Sequence, residues 1–158
     1  MISEFHGKYR FLSNFWYASV VLDGVMYPTV EHAFQAAKTL DLAERKRVHA
    51  CTSPSDAKRT GRTVTLRDDW EDVKVGVMHN LVWQKFQRPD LKNLLVDTGD
   101  QHLEEGNHWN DRFWGVCPPG SGQGQNQLGI ILMDVRRALV SRDFDAWATD
   151  NNKHFVEI

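Results

Sequence analysis

Cysteine is scarce in this chain: only Cys51 and Cys117 occur in 158 residues. Two thiols so far apart cannot form a disulfide framework, and neither sits in a CxxC pair of the kind that holds zinc or exchanges disulfides. Both read as free thiols of a protein in a reducing compartment. Long apolar runs are also missing, since no stretch approaches the roughly 20 residues of a membrane span. The start, MISEFHGKYRFLSNF, has no basic segment followed by an apolar one. The expected setting is cytoplasmic, with no membrane partner. The seven histidines include no HExxH pattern and no pair spaced for one helical face beside a carboxylate, so no metal is expected. A charge surplus is lacking too: 19 Lys and Arg stand against 21 Asp and Glu. That balance gives no broad attraction for nucleic acid, although it is compatible with a local basic cleft.

What is present suffices for one core. A chain of this length with 41% hydrophobic residues can close a single domain. Neither an internal repeat nor a linker divides it. Residues 1–141 read as the domain and 142–158 as a loosely ordered C-terminal tail that docks through Phe144 and Trp147. YASVVLDGVMYP carries two short β-prone runs around Asp23-Gly24, a pair suited to a tight hairpin. Thr29 then caps a helix over residues 30–40, with Val30, Ala33, Phe34 and Ala37 as its apolar positions. Further helices are expected over 42–50, from Ser53-Pro54 to Gly61, from Asp68 or Asp69 to Phe86, over 90–96, and over 126–140. HLEEGNHW suggests a strand leading into an aromatic, polar loop. The fold class is mainly α, multihelical and compact, with a small antiparallel β element.

The helix VEHAFQAAK carries the first chemical candidates. Successive residues advance by about 100°, so Glu31, Gln35 and Lys38 fall within an arc of about 60°, away from the apolar stripe. Periodicity alone fits either a solvated face or a face turned toward a ligand. The second choice would need a pocket that depresses the lysine, with a carboxyl nearby to move protons. Trp109 to Gly115, WNDRFWG, offers a stacking surface and a second carboxylate, Asp111; equally, its tryptophans could anchor the core while Asp111 caps a turn. GSGQGQN precedes a helix but fits no phosphate-loop or dinucleotide fingerprint, and a surface loop is the simpler reading.

Taken together and in order, YRFLSNF, YPTVEHAFQAAK, SDAKRTGR, DDWEDVKVGVMHNLVWQKF, LLVDTGDQHLEEGN, NDRFWG and GQNQLGIILMDVR resemble the NADAR family over about residues 5–139. The resemblance implies a compact multihelical fold and hydrolysis of an N-glycosidic bond. It implies a bond from ribose C1 to an exocyclic amino nitrogen, in ribosylamino-pyrimidine phosphates of riboflavin biosynthesis or in ADP-ribosylated guanine of nucleic acid. The expected partner is thus an ADP-ribose or ribose-phosphate substrate, with ADP-ribosylated DNA included in the second class. On the resemblance, Lys38 is the amine nucleophile, Glu31 the proton carrier and Asp111 the stabiliser of a cationic imine. A closed-ring route using Glu31 and Asp111 alone is the competing mechanism. Arg10, Ser13, Asn14, Gln35, Lys58, Gly61, Arg62, Trp114, Gly115 and Asn126 are carried over as substrate-binding positions. No organic cofactor is expected. The loop GNHWNDRFWGVCPPG is longer and more aromatic than the family's shorter form, which bears on substrate preference. The alternative of another class is a module that binds ADP-ribose or NAD without cleaving it.

Overall fold

A computed structural model of the chain describes residues 1–155. Among these, a 3₁₀ helix, Gly7–Leu12, leads into strands β1, Tyr17–Leu22, and β2, Val25–Thr29. Six α-helices follow: α1, Val30–Ala37; α2, Leu42–His49; α3, Pro54–Gly61; α4, Trp70–Lys85; α5, Pro89–Val96; and α6, Gln127–Phe155. The expected class, helical with one small antiparallel sheet, is the one found. β1 and β2 pair as a hairpin with Val20 opposite Tyr27 and Leu22 opposite Val25. Asp23 and Gly24 hold the turn at φ 48° and 80°, the left-handed angles that a two-residue hairpin demands.

Local chemistry explains where the helices begin. Thr29 Oγ1 accepts from His32 N at 3.0 Å and caps α1, while Ser53 caps α3 by accepting from Asp56 N, with Pro54 in the first turn. α4 starts differently from the expected pattern. Asp69 precedes it without a side-chain cap, because its carboxylate pairs with Arg67 at 2.6 Å.

The eight residues of α1 are all buried. The helix packs against α2, α3, α4 and both strands, so it is the central post of the molecule. His32, fully buried, has both ring nitrogens occupied, one by Thr29 Oγ1 and one by the Cys51 carbonyl. α4 and α6 close the opposite side of the core through Leu81, Val82, Leu132 and Val135. Arg136 on α6 ties that helix to the end of α5, donating to Thr98 Oγ1 and the Gln101 carbonyl at 2.8 Å each.

Two expectations are corrected. HLEEGNHW forms no strand; single bridges, Ile2 with Leu103 and Gly106 with Val116, are all the pairing found there. Pairing stops after the second bridge, in which Asn107 N donates to the Val116 carbonyl, because the chain then turns back and the Asn107 side chain bonds the backbone of Asp111. The last helix does not stop near Val140 but runs on, so residues 142–155 are helical. Phe144 and Trp147 lie 5.9 Å apart on that extension, facing each other across a turn, and are 63% and 61% exposed. Residues 156–158 of the tail lie outside the described residues. Among the described residues no helix is long and apolar enough to cross a membrane.

Candidate active site

The polar face of α1 does not meet bulk solvent. It forms one wall of a cavity of about 330 Å³, which Glu31, Gln35 and Lys38 line together. Glu31 and Gln35 are 7% and 4% exposed. Gln35 Nε2 donates to Glu31 Oε1 at 2.8 Å, one helical turn away. The Gln35 amide is seated against Gly61 of α3: a Cβ there would lie 2.0 Å from Gln35 Oε1, so only glycine lets the two helices approach this closely.

The second wall comes from the segment after the 3₁₀ helix. Ser13 and Asn14 line the cavity, and the Asn14 carbonyl accepts from Glu31 N at 3.1 Å, which fixes the start of α1 to this segment. Beneath it Lys85 of α4, 1% exposed, donates to the Ser13 carbonyl at 2.8 Å. The third wall is the aromatic loop. Asp111 Oδ1 accepts from the N–H groups of Phe113 and Trp114 at 3.1 and 2.9 Å. Asn107 clasps the same turn, accepting from Asp111 N at 3.0 Å and donating to the Asp111 carbonyl at 2.8 Å. Asp111 therefore both closes the turn and lines the cavity. Trp114 stands edge-on to Phe34 and Phe113, with ring centres 5.3 and 4.9 Å away.

Electrostatics in this space are unusual. Burial pushes the Glu31 carboxyl above its ordinary range, against the hydrogen bond from Gln35 and the charges of Lys58 and Lys38. Burial also pushes the Lys38 ammonium down; Glu31 opposes this, while Arg62 and Lys58 add to it. A lysine held low next to a carboxyl held high is a pair in which one member supplies a free amine and the other a proton. Three lysines, Lys38, Lys58 and Lys74, line the cavity, an arrangement suited to a phosphate-bearing ligand.

The structure brings together Ser13, Asn14, Glu31, Gln35, Lys38, Lys58, Asp111 and Trp114. Arg62 lies next door, in a shallower groove of about 380 Å³ that shares Phe15, Lys58 and Trp109 with the cavity. Lys58 rests over the Trp109 ring at 4.8 Å, and Trp109, 57% exposed, is no core anchor. Four expected positions do not line either space. Arg10 is exposed outside the cavity. Gly61 makes room for Gln35, and Gly115 makes room for Glu105. Asn126 is structural, accepting from Glu105 N at 3.0 Å and donating to the Leu103 carbonyl at 2.9 Å. The GSGQGQN loop is likewise outside the cavity, with Gly124 packed on the Gly115 carbonyl. Glu105, Lys74 and His6 line the cavity, and Asn107 clasps its loop, without having been singled out in the sequence. The Glu-Glu pair in HLEEGN was the available signal for the first of them.

A half-buried amine beside a buried carboxyl, in a cavity that Lys58, Lys74, Glu105 and Asp111 also line, makes a site suited to acid–base and nucleophilic chemistry. The NADAR domain model matches residues 3–140, and the chain belongs to that family. Among its relatives, N-glycosidase YbiA of Escherichia coli is 40% identical over 134 residues, covering 83% of this chain and 82% of that protein. An N-glycosidase of Nostoc punctiforme is 37% identical over 137 residues, covering 83% and 86%. A riboflavin biosynthesis protein of Vibrio vulnificus is 40% identical over 139 residues; the match takes in 86% of this chain and only 36% of that longer protein. The NMR structure of E. coli YbiA superposes with a TM-score of 0.77 at 37% identity, covering 91% of this chain and 89% of that one.

Proposed function

We propose that the protein is an N-glycosidase that cleaves the bond between ribose C1 and an exocyclic amino nitrogen, using Lys38 as a covalent nucleophile. The enzyme class, a hydrolase of N-glycosyl bonds, is that of the relatives of matching length. The observation that carries the mechanism is the placing of the buried Glu31 and the half-buried Lys38 on one cavity wall, with the carboxyl pushed up and the amine pushed down.

The steps follow from those two groups. Glu31 gives its proton to the ring oxygen as the furanose opens, and the substrate nitrogen forms an imine with C1. The neutral Lys38 amine adds to that carbon, and Glu31 takes the proton released from the lysine nitrogen. Loss of the base leaves a lysine imine, which water hydrolyses to the free sugar. Asp111 faces the cationic imine, and Trp114 walls the base. Lys58 and Lys74 engage the substrate's phosphate. Ribosylamino-pyrimidine phosphates and guanine-linked ADP-ribose both carry the required bond. The groove of Lys58, Arg59, Arg62 and Trp109, continuous with the cavity, favours a substrate with a second phosphate and a further base to stack.

The test is to incubate the protein in parallel with a ribosylamino-pyrimidine phosphate and a guanine-ADP-ribosylated oligonucleotide, with borohydride in a second series. Base release from at least one, and a reduced sugar adduct mapped to Lys38, are expected. Turnover with no adduct would leave the closed-ring route, and binding without turnover would make the protein a binding module.

A further inference from the structure

The cavity holds a third carboxyl to which neither the resemblance nor the helical pattern gives a task. We propose that Glu105 is the acid that protonates the departing exocyclic nitrogen as the base leaves C1; the assignment rests on the N-glycosidase reading above.

Glu105 lines the cavity from the loop opposite α1. Its backbone is held on both sides, with N–H donating to Asn126 Oδ1 at 3.0 Å and the carbonyl accepting from Val116 N at 2.9 Å. The carboxyl is thus presented from a rigid base. Its Oε2 is buried and has no hydrogen-bond partner. Gly115 leaves the space it occupies, since a Cβ there would lie 2.1 Å from that oxygen. A buried carboxyl oxygen left unbonded is costly, and such exceptions call for an explanation. Here a bound substrate supplies the missing partner. The other two carboxyls differ, because Glu31 Oε1 accepts from Gln35 and Asp111 Oδ1 closes its turn. Burial first, then the charges of Asp111 and Glu31, push the Glu105 carboxyl up to about 8 against the pull of Lys58 and a hydrogen bond from the Asn107 side chain to the carboxyl, so the group carries a proton at neutral pH.

An amino nitrogen leaves as a neutral amine only if it gains a proton while its bond to C1 breaks. At the carbon that bears both the Lys38 nitrogen and the base nitrogen, the Glu105 O–H bond breaks and a new N–H bond forms on the leaving nitrogen. The C1–N electron pair goes to that nitrogen, and the lone pair on the lysine nitrogen closes the C=N bond. The products are the free amino base, the lysine iminium and the Glu105 carboxylate. Water adds to the iminium, and the proton it sheds restores the Glu105 acid. The resulting hydroxyl proton moves to the lysine nitrogen as the sugar aldehyde is released.

Glu105→Gln keeps size and polarity and removes the acid. It is compared with wild type for base release from ribosylamino-pyrimidine phosphate over about pH 5.5 to 9.5, where a loss in kcat of roughly 100-fold or more is expected. Wild-type kcat/KM is expected to fall above about pH 8, and the variant to lose that limb and keep only the one set by Glu31, at a different pH. Ribose 5-phosphate offers an open-chain aldehyde with no base to expel, so borohydride still traps it on Lys38 in the variant. A variant within roughly threefold of wild type, or one that keeps the same fall, overturns the assignment. So does a wild-type profile with no such fall, which keeps the idea testable should the variant not fold. If wild type itself gives no Lys38 adduct while Glu105→Gln loses both rate and limb, the lysine route fails and Glu105 stands as the acid of a closed-ring departure.

Discussion

In the proposed mechanism Lys38 acts as a free amine, and burial makes that form available at a lower pH than for an ordinary lysine. Trapping of ribose 5-phosphate should therefore rise with pH through a midpoint below that of an exposed lysine. Lys38→Ala should abolish the adduct and lower kcat by roughly 1,000-fold, and Glu31→Gln should lower kcat by at least about 100-fold; steady-state kinetics on the preferred substrate checks both. Lys85 gives a second titration, of stability. Its ammonium is buried and pushed down to about 7 from 10.5, so the unfolded chain binds the extra proton between those values. The folded state thus gains stability as pH rises from about 7 to 10 and loses it in the other direction. The effect is on the order of 5 kcal/mol at most. Denaturant midpoints measured across that window should rise more steeply for wild type than for Lys85→Met. The sequence showed Glu31, Gln35 and Lys38 to be neighbours because helical spacing is regular. Glu105 was hidden, since its aim is set by Asn126 and Gly115, and nothing in the pattern HLEEGNHW says which way a loop side chain turns.

At the level of elements, α1 works because α3 can come close to it. The Gly61 position on α3 has no room for a methyl group beside Gln35. Gly61→Ala should displace Gln35 and with it the hydrogen bond to Glu31, lowering kcat by about 10-fold or more while destabilising the fold by about 1–3 kcal/mol. Kinetics paired with thermal melts separates the two effects, because overpacking alone would move only the melt. The hairpin, the caps at Thr29 and Ser53, and the starts of α1, α2 and α3 were legible from residue type, since capping and turn chemistry are local. The loop from Glu104 to Val116 was not. Its shape depends on Asn107, a side chain 1% exposed that bonds two backbone groups of Asp111, and such a clasp has no periodic signature. The far end of α6 was misjudged for the converse reason: RDFDAWATD has only Phe144 and Trp147 as large apolar residues, too few to form a sustained stripe that marks a helix, although the backbone continues one unbroken.

For the molecule as a whole, the expectation of one mainly helical domain with a small hairpin holds because composition and apolar spacing are summed over the entire chain. The interior of the site is the part that composition could not supply, since it arises where three distant segments converge. That convergence has a practical outcome. Three of the six tryptophans, Trp70, Trp109 and Trp114, line the cavity. Indole emission shifts with the polarity of its surroundings, so filling the cavity should quench or blue-shift the intrinsic fluorescence, and titration with ribose 5-phosphate gives the readout. An unchanged spectrum at saturating sugar phosphate would place the ligand elsewhere. The enzyme thus carries its own optical gauge of occupancy, one that needs no dye and no label.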